Sequence, residues 1–151
     1  MLVGFFVVKD NGRSELRMNK PYALVVEDNK VNAILVNKLL ERQGWTVVNA
    51  YDGQMAIDLF KRYDFQLICM DIQLPVLDGY EATKQIRQLE QITGKNATII
   101  ALTAYAMKGD REKCIAVGMD DYISKPIDIK KFVEKITIYN RRNINEENCS
   151  C

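Results

Sequence analysis

The sequence predicts an α/β fold built on a doubly wound parallel sheet, and three observations carry that prediction. From Tyr22 onward, short β-rich runs alternate with longer stretches of helical periodicity, the rhythm of consecutive βαβ units. The run Phe65-Gln66-Leu67-Ile68-Cys69-Met70 is largely apolar and ends on the acid Asp71, leaving a carboxylate where a buried strand meets a loop. Polar residues close four such runs: Glu27-Asp28, Asp71, Thr103 and Lys125. In an open parallel sheet all strands point the same way, so these five side chains converge on one edge, beyond which ligands bind.

The elements follow in order. Strand one is Tyr22 to Val26, and Asn29 caps a helix reaching about Gln43, with Val31, Ile34, Leu35, Lys38 and Leu39 at helical spacing and Gly44 as its stop. Strand two is Thr46 to Ala50. Asp52 caps the next helix, Gln54 to Arg62, which turns Ile57, Leu59 and Phe60 inward, and strand three is Phe65 to Met70. After a turn at Pro75, a helix from Tyr80 to Gln91 buries Ala82, Ile86 and Leu89 and ends at Gly94. Strand four is Thr98 to Leu102. A weaker helix spans about Lys108 to Val117 and Gly118 ends it; a short strand, Asp121 to Ile123, and a last helix, about Asp128 to Tyr139, complete the pattern. The expected organisation is an N-terminal extension or linker over 1–20, one domain over 21–139, and a polar, fraying tail over 140–151. Within the extension, apolar Leu2 to Val8 reads as an extra strand, a packing arm or the edge of an upstream module, and Asn11-Gly12 to Lys20 as turn and linker.

Composition narrows the chemistry. At 151 residues the chain fits one domain with a core of its own. Lys and Arg number 21 against 20 Asp and Glu, so there is no basic excess to hold nucleic acid directly. There is no histidine, which excludes a Ser-His-Asp triad, a His-ligated zinc and any role as the donor of a histidine-borne phosphoryl group. Cys69 and Cys114 read as buried hydrophobes, and Cys149 and Cys151 as a thiol tail. Without a secretory signal a disulfide framework is not expected, which points to a reducing cytosol. Leu2 to Val8 is far short of the about 20 residues a membrane span needs, so no membrane insertion is expected of this chain.

The strand-end residues suggest one site. Glu27-Asp28 also suits plain decoration of a helix start, where acids favour the dipole and the orphan amides. Asp71 is harder to explain that way, because an interior charge needs a partner. Magnesium takes oxygen ligands and keeps several waters, which suits two or three carboxylates and a carbonyl, with Asp28 and Asp71 as direct ligands. Lys125, before Pro126, is extended at a strand end and aims its amine at the same crevice. The Thr103 hydroxyl is placed to donate to a phosphoryl oxygen.

Together these motifs resemble the receiver domains of two-component response regulators, most of all those of hybrid sensor histidine kinases. The resemblance covers about Pro21 to Ile138 and rests on Val-Glu-Asp-Asn, Met-Asp-Ile-Gln-Leu-Pro-Val-Leu-Asp-Gly, Ala-Leu-Thr-Ala and Asp-Tyr-Ile-Ser-Lys-Pro, in that order. It implies a flavodoxin-like (βα)5 sheet of strand order 2-1-3-4-5. It further implies that Asp71 is the phosphoacceptor, that Asp28, Asp71 and the Gln73 backbone carbonyl bind magnesium with Glu27 acting through water, and that Lys125 and Thr103 hold the phosphoryl group. Glu27 stands where many members have Asp. By the same resemblance Thr103 and Tyr122 form a switch that reshapes the face of the fourth helix, fifth strand and fifth helix, and Gln73 and Tyr105 modulate dephosphorylation. The implied donor is a histidine kinase or a histidine phosphotransfer protein. A downstream protein of unspecified kind and a homodimer through the switching face complete the expected partners. Activity is limited to magnesium-dependent self-phosphorylation and self-dephosphorylation, with any kinase activity in a parent hybrid polypeptide, and the expected location is the cytoplasm or the cytoplasmic face of a membrane-bound kinase.

Two other families of related design fit less well. A haloacid-dehalogenase-like phosphatase has a second acid two residues after its nucleophile, where this chain has Gln73, and a flavodoxin needs hydroxyls and amides where Glu27-Asp28 would repel the flavin phosphate. The rival from a different class is a degenerate receiver acting as a phosphorylation-independent interaction domain, which typically lacks an acid or the lysine that this chain retains. With thirteen residues after Ile138, no output domain is expected downstream, leaving a stand-alone regulator or, as favoured, the receiver of a hybrid kinase.

Overall fold

The computed structural model describes residues 5–10, 13–18, 21–104 and 108–149, with side chains described for 21–104 and 109–140. Its centre is a five-stranded parallel sheet made by β3 (Tyr22–Val26), β4 (Thr46–Ala50), β5 (Phe65–Asp71), β6 (Thr98–Thr103) and β7 (Asp121–Ser124). The spatial order is β4-β3-β5-β6-β7, the expected 2-1-3-4-5. A separate antiparallel pair, β1 (Phe5–Asp10) and β2 (Arg13–Met18), precedes it.

Five helices, α1 (Lys30–Arg42), α2 (Gly53–Arg62), α3 (Gly79–Thr93), α4 (Lys108–Ala116) and α5 (Ile129–Cys149), cover both faces of the sheet. Alternate side chains of each strand feed two cores, because successive residues of a strand point to opposite faces. Ala23, Val25, Leu67, Cys69, Ile100 and Leu102 pack under Val36 and Leu40 of α1 and Phe132 and Ile136 of α5. Leu24, Val26, Ile68, Met70, Ile99 and Ala101 pack under Phe60 of α2, Ile86 of α3 and Cys114 of α4. Burial on both faces explains why the β5 run is apolar almost without interruption. The buried Cys69 thiol is pushed up to about 12 by desolvation, in keeping with its reading as a hydrophobe.

Three expectations are corrected. On α1 the buried stripe is Ala33, Val36, Leu39 and Leu40, while Val31 and Ile34 are 75% and 53% exposed. Lys38 shares the Val31–Ile34 face and must keep its ammonium in water, whereas small Ala33 lets the other face approach the sheet. Residues 13–18, read as linker, form a strand paired antiparallel with residues 5–10, because main-chain pairing needs no apolar side chains. The last helix does not stop near Tyr139 but runs to Cys149, since Asn140 to Cys149 is polar yet contains neither Gly nor Pro to end it.

The other helix ends match their signals. Asn29 accepts from the amides of Val31 and Asn32 and Asp52 from Met55, and Gly94 closes α3 in the left-handed conformation with φ 74°; at the start of α3, Asp78, not singled out in the sequence, accepts from Glu81.

Candidate functional site

The chain runs from β3 outward to β4 and then returns across β3 to β5, so the strand order reverses between β3 and β5. A crevice opens at such a reversal, beyond the carboxyl ends of the strands. Here it is a cleft of about 520 Å³, and Glu27, Asp28, Asp71, Gln73, Thr103 and Lys125 all line it. Six residues separated by up to 98 positions in the sequence thus meet at one edge, as their places at strand ends predict. Of the two remaining sequence-predicted residues, Tyr122 lies on β7 outside this lining and Tyr105 lies outside the described residues.

Backbone geometry sets the arrangement. The amide of Gln73 donates to Asp71 Oδ1 at 3.2 Å, holding the carboxylate as the chain leaves β5. Gly79 starts α3 directly against the strand end, donating its amide to the Ile72 carbonyl at 2.9 Å. A Cβ there would overlap the Asp71 carbonyl oxygen, so only glycine permits this approach. Between them Leu77 donates its amide to the Pro75 carbonyl at 2.7 Å across Val76, whose φ is 67°. That is a γ-turn of the strained, positive-φ kind, carried here by a β-branched residue. On the other side of the cleft, Lys125 extends the β6–β7 ladder by donating its amide to Thr103 O at 2.7 Å, and its peptide bond to Pro126 is cis.

Charge is concentrated and incompletely matched. Glu27 is 1% exposed, Asp71 5% and Thr103 4%, whereas Asp28 is exposed at the rim. Lys125 Nζ lies 2.8 Å from Glu27 Oε2 and 3.1 Å from Asp71 Oδ2. Glu27 Oε1 accepts the Asn29 amide at 3.2 Å. Oxygens of Glu27, Asp28 and Asp71 lie within 4.8 Å of one another. At such spacing each carboxylate pair repels by about 4 kcal/mol at an effective dielectric near 20, and one ammonium cannot cancel three acids. The imbalance appears in the titration of Asp71, which is pushed up to about 6 by burial and by the Glu27 charge, against the pull of Lys125 and the Gln73 amide. Burial would lower Lys125, but its bonds to Glu27 and Asp71 outweigh that and raise it. A hard divalent cation fits this set of oxygen donors and would discharge the excess.

Several cleft residues carried no signal in the sequence. Asn29 was legible as a helix cap, but Asn32, Asp78, Tyr80, Asp110 and Lys113 also line the wall. They sit on the starts of α1 and α3 and on α4, and only the tilt of those helices turns them toward the opening. On the neighbouring face, Tyr122 lies between two cations, the Arg111 guanidinium 5.8 Å and the Lys135 ammonium 5.3 Å from its ring centre. Lys135 also pairs with Asp121 at 2.7 Å.

Fold and site define a doubly wound α/β domain with acids, a hydroxyl and an amine gathered at the carboxyl edge of its sheet. The response regulator receiver domain family matches residues 23–137, and the chain belongs to that family. It is 42% identical over 132 residues to hybrid signal transduction histidine kinase I of Dictyostelium discoideum, spanning 84% of this chain but only 8% of that protein. It is 40% identical to the polar-differentiation response regulator DivK of Brucella ovis over 77% of this chain and 93% of that one. Among solved structures, the receiver domain of the sensor histidine kinase PA1611 of Pseudomonas aeruginosa, with magnesium coordinated in its active-site cleft, is 42% identical with a TM-score of 0.69, covering 81% of this chain and 96% of that one. The receiver of Ssk1 from Saccharomyces cerevisiae, in complex with the histidine phosphotransfer protein Ypd1, is 36% identical with a TM-score of 0.74, covering 80% and 89%. No helix among the described residues is long and apolar enough to cross a membrane.

Proposed function

We propose that this receiver accepts a phosphoryl group on Asp71 from the phosphohistidine of a histidine kinase or a histidine phosphotransfer protein. The observation that carries the reading is the environment of Asp71, a carboxylate 5% exposed, 3.1 Å from Lys125 Nζ and grouped with Glu27 and Asp28 at the mouth of a cleft. In the transfer an Asp71 oxygen bonds to phosphorus as the phosphorus–nitrogen bond breaks, its electron pair returning to the donor ring. Phosphoryl transfer demands positioning and charge stabilisation more than acid or base catalysis. Lys125 and the Thr103 hydroxyl supply those on the protein side.

Asp28, Asp71 and the Gln73 carbonyl are the proposed direct holders of magnesium, and Glu27 acts through water because both its oxygens are already engaged by Lys125 and the Asn29 amide. The bound ion would neutralise charge on the phosphoryl oxygens. Val31 and Ile34 stand exposed on α1 beside the cleft residues Asn29 and Asn32, a suitable apolar seat for the donor protein. The Ypd1 complex of a similar receiver supports such a donor. Once formed, the aspartyl phosphate draws Thr103, and Tyr122 follows, reshaping α4, β7 and α5 for a downstream protein or a second copy. Loss of phosphate to water is modulated by Gln73 and Tyr105. Similarity to a hybrid kinase supports such a parent polypeptide, and the proposed location is the cytoplasm or the cytoplasmic face of a membrane-bound kinase.

The test is incorporation of acid-labile phosphate from acetyl phosphate with magnesium, together with NMR spectra on addition of beryllofluoride. Labelling should vanish in Asp71→Asn, and Thr103, Tyr122 and Lys125 should shift. A mutant that labels as well as the wild type, or spectra that do not move, would leave the phosphorylation-independent interaction domain as the better account.

A further inference from the structure

The cleft around Asp71 extends beyond the groups that hold phosphorus. Its far wall is made by Asp110 and Lys113 of α4, with Asp78 and Tyr80 from the start of α3. Behind that wall the next residue of α4, Cys114, is 2% exposed in the core cluster against which Tyr80 also packs. With Cys114 turned into the core, its neighbour Lys113 is left exposed on the wall of the cleft.

Five carboxylates, Glu27, Asp28, Asp71, Asp78 and Asp110, line this space against two lysines. Lys125 is engaged by Glu27 and Asp71 at its inner end. Among the described residues Lys113 makes no ion pair, and it is exposed at the outer end. A helix-surface lysine usually serves solubility alone. Here it is a cation without a carboxylate partner, on the wall of a cleft that an anionic reagent must enter. A phosphohistidine protein arrives docked on its own surface, but a small acyl phosphate has no such surface and meets the acidic rim by itself. One ammonium at that rim offsets the repulsion and raises the local concentration of the anion.

We propose that Lys113 is a positioning residue for small acyl phosphates, binding the phosphate oxygens of the incoming donor at the cleft mouth. The inference rests on the assignment of Asp71 as acceptor. In the step served, an Asp71 oxygen bonds to phosphorus while the bond from phosphorus to the acyl oxygen breaks, and the carboxylate leaves with the electron pair. No other reactant is consumed.

Initial rates of acid-labile labelling by acetyl phosphate, at saturating magnesium on the full chain, test this. Lys113→Ala should raise KM for acetyl phosphate about two- to fivefold, the size of one exposed charge interaction. Lys113→Glu should raise it further and Lys113→Arg should restore it, with the effect on KM and not on the saturating rate. Wild-type KM should also climb with ionic strength more steeply than that of Lys113→Ala. If Asp71-dependent labelling proceeds in the wild type while the Ala and Glu variants keep its KM, or lose only saturating rate, Lys113 has no such role. If the wild type takes no label on Asp71, the acceptor assignment fails, and this inference with it.

Discussion

Asp71 sits where folding and function oppose each other. Its carboxyl is pushed up to about 6 in the fold from an ordinary value of 3.8, so the folded protein holds that proton more tightly than the unfolded chain does. Between those values the folded state binds the extra proton, and the stabilisation present below about 3.8 is lost as pH rises through about 6. Metal-free protein should therefore lose stability between pH 4 and 7, by about 1–2 kcal/mol once solvent screening at the cleft mouth is allowed for. Asp71→Asn should remove that part of the pH dependence and be the more stable protein at pH 7. Urea unfolding across this range, without divalent ions, measures both; an Asn variant with the wild-type pH profile would place the strain elsewhere. Lys125 is the counterweight, and its place beside Glu27 and Asp71 explains how two buried acids are tolerated at all.

The loop between β5 and α3 joins the acceptor to the rest of the molecule, and it is strained at one residue. Val76 holds φ at 67° and is 83% exposed, so its side chain packs on little while its backbone pays for the γ-turn. Val76→Gly should stabilise the protein by about 1 kcal/mol, since the relief of positive-φ strain exceeds the added freedom of the unfolded chain. Thermal or urea unfolding decides the sign. Helix caps were legible where the signal is local: Asn29 and Asp52 bond amides two or three positions away, while the same role of Asp78 emerged only in the structure. The buried face of α1 was not, because two stripes of similar apolar content compete and packing against the sheet chooses between them. The far end of α5 was misread for the opposite reason, polarity standing in for a stop signal that the residues do not contain.

For the molecule as a whole, the sheet is a scaffold that brings acids from β3 and β5 together, and their mutual repulsion makes its stability sensitive to cations. Magnesium at about 100 times its Kd should stabilise the wild type by about 2.7 kcal/mol. The gain should shrink in Asp28→Ala, and shrink in the wild type as pH falls below about 6, where the Asp71 proton competes. Denaturant midpoints with and without magnesium test this, and equal gains in both proteins would exclude Asp28 as a ligand. The parallel sheet, the shared edge and the core members of the site could be read in advance, because alternating βα units whose apolar strands end in polar groups favour a parallel sheet and a common place for the charges, whereas the strand order came only with the resemblance to receiver domains. Position in the chain alone could not yield the ion pair of Lys125 with Glu27 across 98 residues, the turn of α4 that exposes Lys113 to the cleft, or the cations flanking Tyr122. Those depend on how far each helix tilts and rotates as it packs, a compromise among many contacts that no short stretch of residues encodes.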